Sequence, residues 1–569
     1  MASRQSDISR VEVSVVLPTK TIPSYEQRVI GELAEIEGIE EFRGIPYGIV
    51  PARWQHAVLR DKLPEDIFHA TKNGPRCPQP QEPNNSDFYQ SHLDFPDVTE
   101  SEFDCLNLFI TRPSASALTA AGISTTAKLP VYVYIHGGAY SFGAGTDPMW
   151  NPARLVKKSI ELGTPIIVAT INYRLHMFGF GAASEIIARS RGCNFGLTDQ
   201  RTAIRWVHQN IDAFGGNVDQ VTVGGQSAGG SSSHAHILEA VFGDQKPLVQ
   251  RGIIQSGAVG VLGPISMHVA NERWNALCAQ LNAPDSSRLE YMMNVPTDKI
   301  IKACHDLGWM VSPLVVDGFT ISEKDERWRI HLDGTENPNY AQSVDSAPIA
   351  VLIGDTDLEG TVHADSVSKI NSFTQLQEIL DQVKSREFLD KFYRLYNLQP
   401  DTPLPSLHEQ ILHFLSDLQF GYPVQLARDE LIKSTARPTV VQSYRANFGN
   451  PFPGPNYQKA QHCVDLIYIY DAFAEALRAV DEALPVDAFK NEALVERMQA
   501  DWIRFIADPV TSSQDGLATI YNADRTTSTV DMAVDPEWVA RKERFKVLTE
   551  YPIAAQQALK ALSGFGHSF

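Results

Sequence analysis

Short apolar runs along the chain predict the strands of a buried sheet. The runs are continuous or rich in β-branched residues, which is typical of strands covered on both faces in a mostly parallel sheet. Five such runs span residues 129–135, 165–171, 221–223, 349–353 and 439–444.

A helical pattern lies between the second and the third run. From residue 199 to residue 214, apolar side chains recur at the spacing of one helix face. These side chains are Ala203, Ile204, Val207, Ile211 and Phe214. Because strands alternate with helices, the pattern predicts an α/β fold with a central, mostly parallel sheet flanked by helices.

Two stretches show neither the pattern of a buried strand nor that of a helix, and we expect both to be surface loops. Residues 78–104 are polar and rich in Pro, Asn and Asp, and residues 114–128 are rich in Ala, Ser and Thr. No internal repeat divides the 569-residue chain, and α/β folds often grow by insertion. We therefore expect a single domain over residues 1–569, with large insertions that form its pocket.

Charge and composition exclude several classes of partner. The formal net charge of −19 repels nucleic-acid phosphates and anionic membrane surfaces. No apolar stretch approaches the roughly 20 residues of a membrane span. The first residues lack the apolar core of a secretory leader, so we expect a cytoplasmic protein, or a secreted one if a leader was removed. The six cysteines show no C-x-x-C spacing, so a zinc site is not expected.

The strongest local signal for chemistry is the sequence VTVGGQSAGG at residues 221–230. It places G-x-S-x-G directly after a predicted strand, which is typical of a serine nucleophile on a sharp strand-to-helix turn. Gly225 and Gly229 leave room for that turn, and Ser227 is the candidate nucleophile. A chance Gly/Ser turn is the alternative reading of this pattern.

A second glycine-containing turn follows the first predicted strand. The sequence HGGAY at residues 136–140 brings small residues to a place where backbone N–H groups could approach a developing oxyanion. The N–H of Ala228, directly after Ser227, would add another donor. By itself the turn could be an ordinary strand end, but it precedes the serine motif in the order that acyl-transfer chemistry requires.

Candidates for a general base are more numerous. The chain has 16 histidines, and in hydrolases with this serine turn the base follows the nucleophile and the acid along the chain. His462 stands in the sequence QHCVDLIY at residues 461–468. His408 and His413 lie in a helix-like stretch and His567 lies in the tail, none of them in a comparable context.

Acidic residues and histidines elsewhere could suggest a metal site. Asp355, Asp357 and Glu359 follow the fourth predicted strand, but a calcium loop needs more oxygen ligands at a different spacing. His234 and His236 are two positions apart, and on a helix they would point to different faces. We therefore expect neither a metal nor a cofactor.

Taken together, these motifs resemble the type-B carboxylesterases, the family that includes cholinesterases and some fungal lipases. The resemblance runs over nearly the whole chain. Besides the serine and histidine segments it rests on residues 42–47 (FRGIPY), 103–108 (FDCLNL), 172–174 (NYR), 196–200 (GLTDQ) and 254–257 (IQSG). It implies an α/β-hydrolase fold and the hydrolysis of small carboxylic esters without metal or cofactor.

The resemblance also assigns roles to residues. His462 would be the base, because its segment is similar to the family's H-x-x-E/D segment. Glu359 would be the acid, because the family places its acid just before a glycine here, and Asp355 and Asp357 remain the alternatives. The oxyanion donors would be the N–H groups of Gly138, Ala139 and Ala228, and Ser256 would lie beside the acid.

Some positions depart from the family pattern. Gln226 stands where the family usually has glutamate before the nucleophile. Cys77 and Cys105 match the family's first disulfide, which closes a long loop, although a reducing cytosol would oppose that bond. A second family disulfide has no counterpart, so we expect Cys278 and Cys304 to be buried free thiols.

Three functional hypotheses remain at this stage. The loop between Cys77 and Cys105 has no tryptophan to stack on choline and is too polar for a lipid-binding lid, so the first hypothesis is a soluble serine esterase. The same acyl-enzyme could instead transfer its acyl group to an alcohol or form a lactone. The third hypothesis is a non-catalytic binding protein. The presence of Ser227, Glu359 and His462 argues against it.

Overall fold

A thirteen-stranded, mostly parallel sheet forms the centre of the protein. The computed structural model describes residues 12–18, 25–80, 85–243, 246–324, 327–330, 332, 347–508 and 515–563. The strands in chain order are β1 (Glu12–Pro18), β2 (Glu26–Leu33), β3 (Ile39–Pro46), β4 (Gly48–Ile49), β5 (Val58–Leu59), β6 (Ile67–His69), β7 (Asn107–Pro113), β8 (Leu129–Ile135), β9 (Ile167–Ile171), β10 (Gly216–Gln226), β11 (Arg251–Gln255), β12 (Ile265–Ser266), β13 (Val315–Val316), β14 (Ile321–Lys324), β15 (Arg327–Ile330), β16 (Ile349–Thr356), β17 (Thr439–Ala446), β18 (Leu517–Tyr521) and β19 (Thr527–Asp531).

Helices cover the sheet and fill the connections between its strands. The α-helices are α1 (Ala115–Ala120), α2 (Ala153–Glu161), α3 (His176–Phe180), α4 (Ser184–Ser190), α5 (Phe195–Asn210), α6 (Ala228–Phe242), α7 (Met267–Gln280), α8 (Arg288–Asn294), α9 (Thr297–Asp306), α10 (Ala364–Val367), α11 (Phe373–Ile379), α12 (Arg386–Leu395), α13 (Leu404–Ser416), α14 (Tyr422–Ile432), α15 (Val464–Tyr470), α16 (Ala474–Ala483), α17 (Asn491–Ala507), α18 (Pro536–Glu550) and α19 (Pro552–Leu562). Short 3₁₀ helices span Asn85–Tyr89, Pro148–Trp150, Ile211–Phe214, Asp285–Ser287, Glu359–His363 and Leu380–Gln382, and Asp417–Gly421 forms a π-helical turn between α13 and α14.

The sheet is parallel in its middle and antiparallel at both ends. Its strand order is β1-β2-β3-β7-β9-β8-β10-β11-β16-β17-β18-β19, with β6 paired to β2. From β9 to β18 every neighbouring pair is parallel. Since the carboxyl ends of parallel strands meet at one edge, the segments after β8, β10, β11, β16 and β17 come together there.

Alternate residues of the central strands point to opposite faces of the sheet, as strand geometry requires. On β8, Val131, Val133 and Ile135 belong to a core that includes α5 and α6. Tyr132 and Tyr134 belong to a second core on the other face, together with α2, α15 and α17. Burial on both faces explains why β8 is a continuous apolar run.

The predicted α/β class is confirmed, with differences at the boundaries of elements. All five predicted strands are present, but the third, predicted at 221–223, extends over Gly216–Gln226. The predicted helix at 199–214 begins earlier, at Phe195, and its last turn is the 3₁₀ helix Ile211–Phe214.

The predicted surface loops also fold partly into helices. The prediction of a loop at 114–128 is wrong in part, because Ser114 caps α1 by accepting a hydrogen bond from the N–H of Ala117. The predicted loop at 78–104 contains the 3₁₀ helix Asn85–Tyr89, and its residues 81–84 lie outside the described residues. Among the described helices, none is long and apolar enough to cross a membrane.

Candidate active site

Ser227 lies on a strained turn between β10 and α6. Its φ of 59° and ψ of −121° fall in a region that a non-glycine residue adopts only when its surroundings hold it there. The N–H of Ser227 donates to the carbonyl of Gln255, 2.9 Å away. A Cβ atom on Gly225 or Gly229 would clash with the carbonyl oxygen of Ile135, so the turn requires glycine on both sides of the serine.

The turn after β8 lies directly against Ser227. Gly138, Ala139 and Tyr140 all have positive φ, at 102°, 53° and 59°. The N–H of Phe142 donates to the carbonyl of Gly138 at 3.0 Å, and a Cβ on Gly138 would clash with the carbonyl of Phe142. The sequence HGGAY therefore folds into a tight turn that requires glycine at position 138.

The three N–H groups predicted as oxyanion donors are available for a ligand. Within the described part of the chain, no residue accepts a hydrogen bond from the N–H of Gly138, Ala139 or Ala228. Ala228 is the first residue of α6, whose N-terminal end carries a partial positive charge. Such donors stabilise negative charge on an oxygen atom placed among them.

The predicted base and acid are in direct contact. Nδ1 of His462 hydrogen-bonds the carboxylate of Glu359, and both side chains are buried. The N–H of Thr356 donates to Glu359 at 2.7 Å, and the backbone N–H of His462 donates to the hydroxyl of Thr361 at 3.2 Å. These bonds fix the carboxylate and orient the imidazole with Nε2 facing away from the acid.

The contact shifts the pKa values of the two groups in opposite directions. Burial alone would lower the pKa of His462, but interactions with Cys463 and Glu359 raise it well above its ordinary value. Burial alone would raise the pKa of Glu359, but the charge of His462 and hydrogen bonds from His462 and from the N–H of Thr356 lower it. The pair thus favours a negative Glu359 beside an imidazole that readily takes a proton.

The two alternative acids lie in other interactions. Asp355 forms a buried double hydrogen bond with Arg541 of α18, and Asp357 pairs with Arg445 of β17. Neither carboxylate shares a described hydrogen bond with His462, so of the three acidic residues only Glu359 reaches the imidazole.

Two neighbouring side chains complete the surroundings. Ser256, directly after β11, has a φ of 48° and is fully buried; its place beside the acid stays a prediction. Asp465 accepts a hydrogen bond from the amide of Gln255 at 2.9 Å, and burial raises its pKa to about 6. Asp465 occupies the acidic position of the H-x-x-E/D segment, but the resemblance did not imply a role for it.

The sequence did not predict one contact of the base. Nε2 of His462, which would face the nucleophile, accepts a hydrogen bond from the buried side-chain amide of Gln226 at 3.2 Å. The described residues include no hydrogen bond between the hydroxyl of Ser227 and this nitrogen. In ligand-free sites such bonds are often long and tighten only when substrate binds.

The described residues contain no group of three or more His, Cys, Asp or Glu that could hold a metal ion. His234 and His236 lie on α6 and have separate partners, the N–H of Val259 and the amide of Gln200.

Cys278 and Cys304 are buried free thiols, as predicted.

Cys77 and Cys105 also lie in contact as free thiols. A hydrogen bond with Cys77, together with burial, raises the pKa of Cys105. The disulfide between the two cysteines stays a prediction.

Comparisons with known proteins agree with this architecture. The model of one family, described as the carboxylesterase family, matches residues 22–534. A para-nitrobenzyl esterase of Bacillus subtilis is 28% identical over 89% of this chain and 95% of its own length. A protein of Byssochlamys spectabilis named inactive carboxylesterase-like protein VdtD is 27% identical over 88% of this chain and 84% of its own. Among solved structures, a thermophilic PNB esterase superposes with a TM-score of 0.68 at 26% identity, covering 94% of this chain and all of that one.

Proposed function

Because the chain belongs to the carboxylesterase family and is a carboxylic-ester hydrolase, we propose that it cleaves small esters through an acyl-enzyme on Ser227. Its fold is the α/β-hydrolase fold. The observation that carries the proposal is a strained serine whose preceding residue, Gln226, contacts the histidine of a buried histidine–glutamate pair.

The first half of the proposed reaction forms the acyl-enzyme. The hydroxyl oxygen of Ser227 attacks the ester carbonyl carbon while Nε2 of His462 takes the hydroxyl proton. The N–H groups of Gly138, Ala139 and Ala228 stabilise the negative charge on the carbonyl oxygen. The bond to the alcohol oxygen then breaks, and His462 passes its proton to that oxygen.

The second half restores the serine. A water molecule attacks the acyl carbon, His462 takes a proton from the water, and the bond to Ser227 breaks as the serine recovers its proton. Glu359 stays negative throughout and stabilises the imidazolium. The lowered pKa of Glu359 and the raised pKa of His462 support this division of roles.

The test combines turnover with covalent labelling. Wild-type protein is mixed with p-nitrophenyl esters of increasing acyl length and, separately, with a fluorophosphonate whose attachment site is found by mass spectrometry. We expect hydrolysis, a label on Ser227, and loss of both in Ser227→Ala with the melting temperature retained. Ser256→Ala, which changes a neighbouring buried serine, should still be labelled at Ser227.

Other outcomes distinguish the remaining hypotheses. A label on Ser227 without release of free acid, but with transfer to an added alcohol, would replace hydrolysis by acyl transfer. A folded wild-type protein that neither turns over nor takes the label would contradict the proposal and favour a non-catalytic role.

A further inference from the structure

A short segment distant in sequence packs against the segment that carries His462. Residues 85–93, here called loop 85–93, contain the 3₁₀ helix Asn85–Tyr89. Residues 449–462 follow β17 and end at the proposed base. Three side-chain amides, two of them fully buried, join the two segments.

Gln461 is the central residue of this connection. Its side chain is fully buried, its Nε2 donates to the carbonyl of Phe88 at 2.9 Å, and its Oε1 accepts from Nδ2 of Asn450 at 3.1 Å. The amide group of Gln461 therefore links loop 85–93 to the residue next to His462.

Asn450 and Gln90 extend the same connection. Asn450, also fully buried, donates to the carbonyl of Tyr89 at 3.0 Å. Gln90 reaches in the opposite direction, donating to the carbonyl of Phe452 at 2.8 Å and accepting from the N–H of Asn456 at 2.6 Å. We call Gln90, Asn450 and Gln461 the amide latch.

The backbone of Gln461 connects the latch to the proposed acid as well. Gln461 forms a parallel bridge with Leu358, and the N–H of Leu358 donates to the carbonyl of Ala460 at 2.8 Å. Leu358 precedes Glu359, and Gln461 precedes His462. Glu359 and His462 thus each directly follow one residue of this bridge. The side chain of Gln461, one of the two bridge residues, is held by loop 85–93.

The cost of breaking the latch explains why it could control the base. A buried amide that loses its partner costs about 1–3 kcal/mol. If loop 85–93 moved away, Gln461 and Asn450 would each lose an acceptor in a buried place. The segment would then rearrange to find new partners, and His462 is its next residue.

We propose that Gln461 is a positioning residue that makes the placement of His462 depend on the contact between loop 85–93 and residues 449–462. The proposal rests on the proposed function, since it concerns the base of that reaction. Gln461 touches neither the substrate nor the reacting atoms, and it acts through the backbone it shares with His462.

The test replaces the amide with a side chain of similar volume. In Gln461→Met we expect the rate of fluorophosphonate labelling and kcat to fall roughly ten- to hundred-fold, as for a small misplacement of a reacting group, with little change in KM. Hydrogen exchange of loop 85–93 should rise. Gln382→Met, at an exposed glutamine of the 3₁₀ helix Leu380–Gln382, is the matched control and should resemble wild type.

A second variant separates positioning from simple loss of structure. Gln90→Met breaks the latch from the loop side, at a partly exposed residue, so it remains informative if Gln461→Met does not fold. We expect the same fall in kcat, and a double variant no slower than the worse single one, because both break one connection.

The outcomes distinguish this inference from the proposed function. If wild-type protein labels at Ser227 and a latch variant with raised exchange labels at the wild-type rate, the coupling is wrong and the function stands. Additive losses in the double variant would also overturn it. If wild-type protein does not label at all, the proposed function fails, and unchanged exchange in loop 85–93 of the latch variants would overturn the latch independently.

Discussion

At the scale of single residues, the uncharged side-chain amide of Gln226 faces the nitrogen of His462 that accepts the serine proton in the proposed reaction. Gln226 donates to Nε2 of His462, an arrangement that fits a neutral imidazole whose Nδ1 proton is held by Glu359. Besides Glu359, the titratable groups among the described residues that interact with His462 are Cys463, His363 and Asp465. A carboxylate in place of Gln226 would be a second negative charge beside the ring.

We therefore predict the effect of Gln226→Glu on the pH profile. Turnover requires neutral His462, so kcat/KM rises with pH through the pKa of this residue, which interactions with Cys463 and Glu359 already hold above its ordinary value. A carboxylate within hydrogen-bonding distance favours the imidazolium and raises that pKa further. The acid limb should move to higher pH, with activity recovering above it. The measurement is kcat/KM against pH.

Gln226→Met is the control for this prediction. It removes the amide without adding charge, so its acid limb should not move upward. An unchanged or lower limb in a folded Gln226→Glu protein would mean that the side chain does not face the titrating imidazole.

The residue scale also shows what the sequence could predict. The nucleophile turn was predictable because its requirement is local, namely small residues within two positions of Ser227. The contacts of His462 with Gln226 and of Gln461 with Phe88 join residues 236 and 373 positions apart. No local pattern encodes such contacts, and the acid was chosen among Asp355, Asp357 and Glu359 by family resemblance alone.

At the scale of elements, α18 contributes a buried cation behind the acid-bearing segment. Arg541 of α18 holds Asp355 at the end of β16 and lies 3.7 Å from Asp417 in the π-helical turn. Arg544, one helical turn along, pairs with the same Asp417. Thr356, whose N–H holds Glu359, follows Asp355 directly.

We predict that Arg541→Met is strongly destabilising. Removing one partner of a buried ion pair leaves an uncompensated charge and costs about 3–5 kcal/mol. Lys546→Met on the same helix removes an exposed partner of Glu543 and should cost only about 0–1 kcal/mol. Urea unfolding of both variants measures the difference, and equal losses would show that the Arg541–Asp355 pair does not support the fold.

Elements differed in how well the sequence predicted them. The run 129–135 matched β8 at both ends, because a strand buried on both faces cannot carry polar residues without a cost. The helix α1 was missed, since Ala, Ser and Thr suit a loop as well as a capped helix. The antiparallel strands β1 and β2 were not predicted, because they mix exposed and buried positions.

At the scale of the whole molecule, the C-terminal helices extend beyond the residues that match the family. The match ends at residue 534, whereas α18 and α19 span Pro536–Glu550 and Pro552–Leu562. Phe545, Leu548 and Leu559 of these helices belong to one apolar core with α12 and α13. We propose that residues 1–569 form one domain in which these helices hold the acid-bearing side of the site.

Ending the chain after Val534 should therefore abolish both activity and labelling. The truncation exposes large apolar side chains of α12 and α13 that pack against α18 and α19. Each such side chain contributes about 1.5–3 kcal/mol when buried. The truncation also removes Arg541, the partner of Asp355. The combined loss is comparable to the ~5–15 kcal/mol that stabilises a whole domain, so we expect insoluble protein or a soluble one that takes no fluorophosphonate label. A chain ended after Phe565, which keeps both helices, is the control and should label at the wild-type rate. A soluble 1–534 protein that labels Ser227 as fast as the control would make the C-terminal helices an addition to a complete domain and would refute the single-domain proposal.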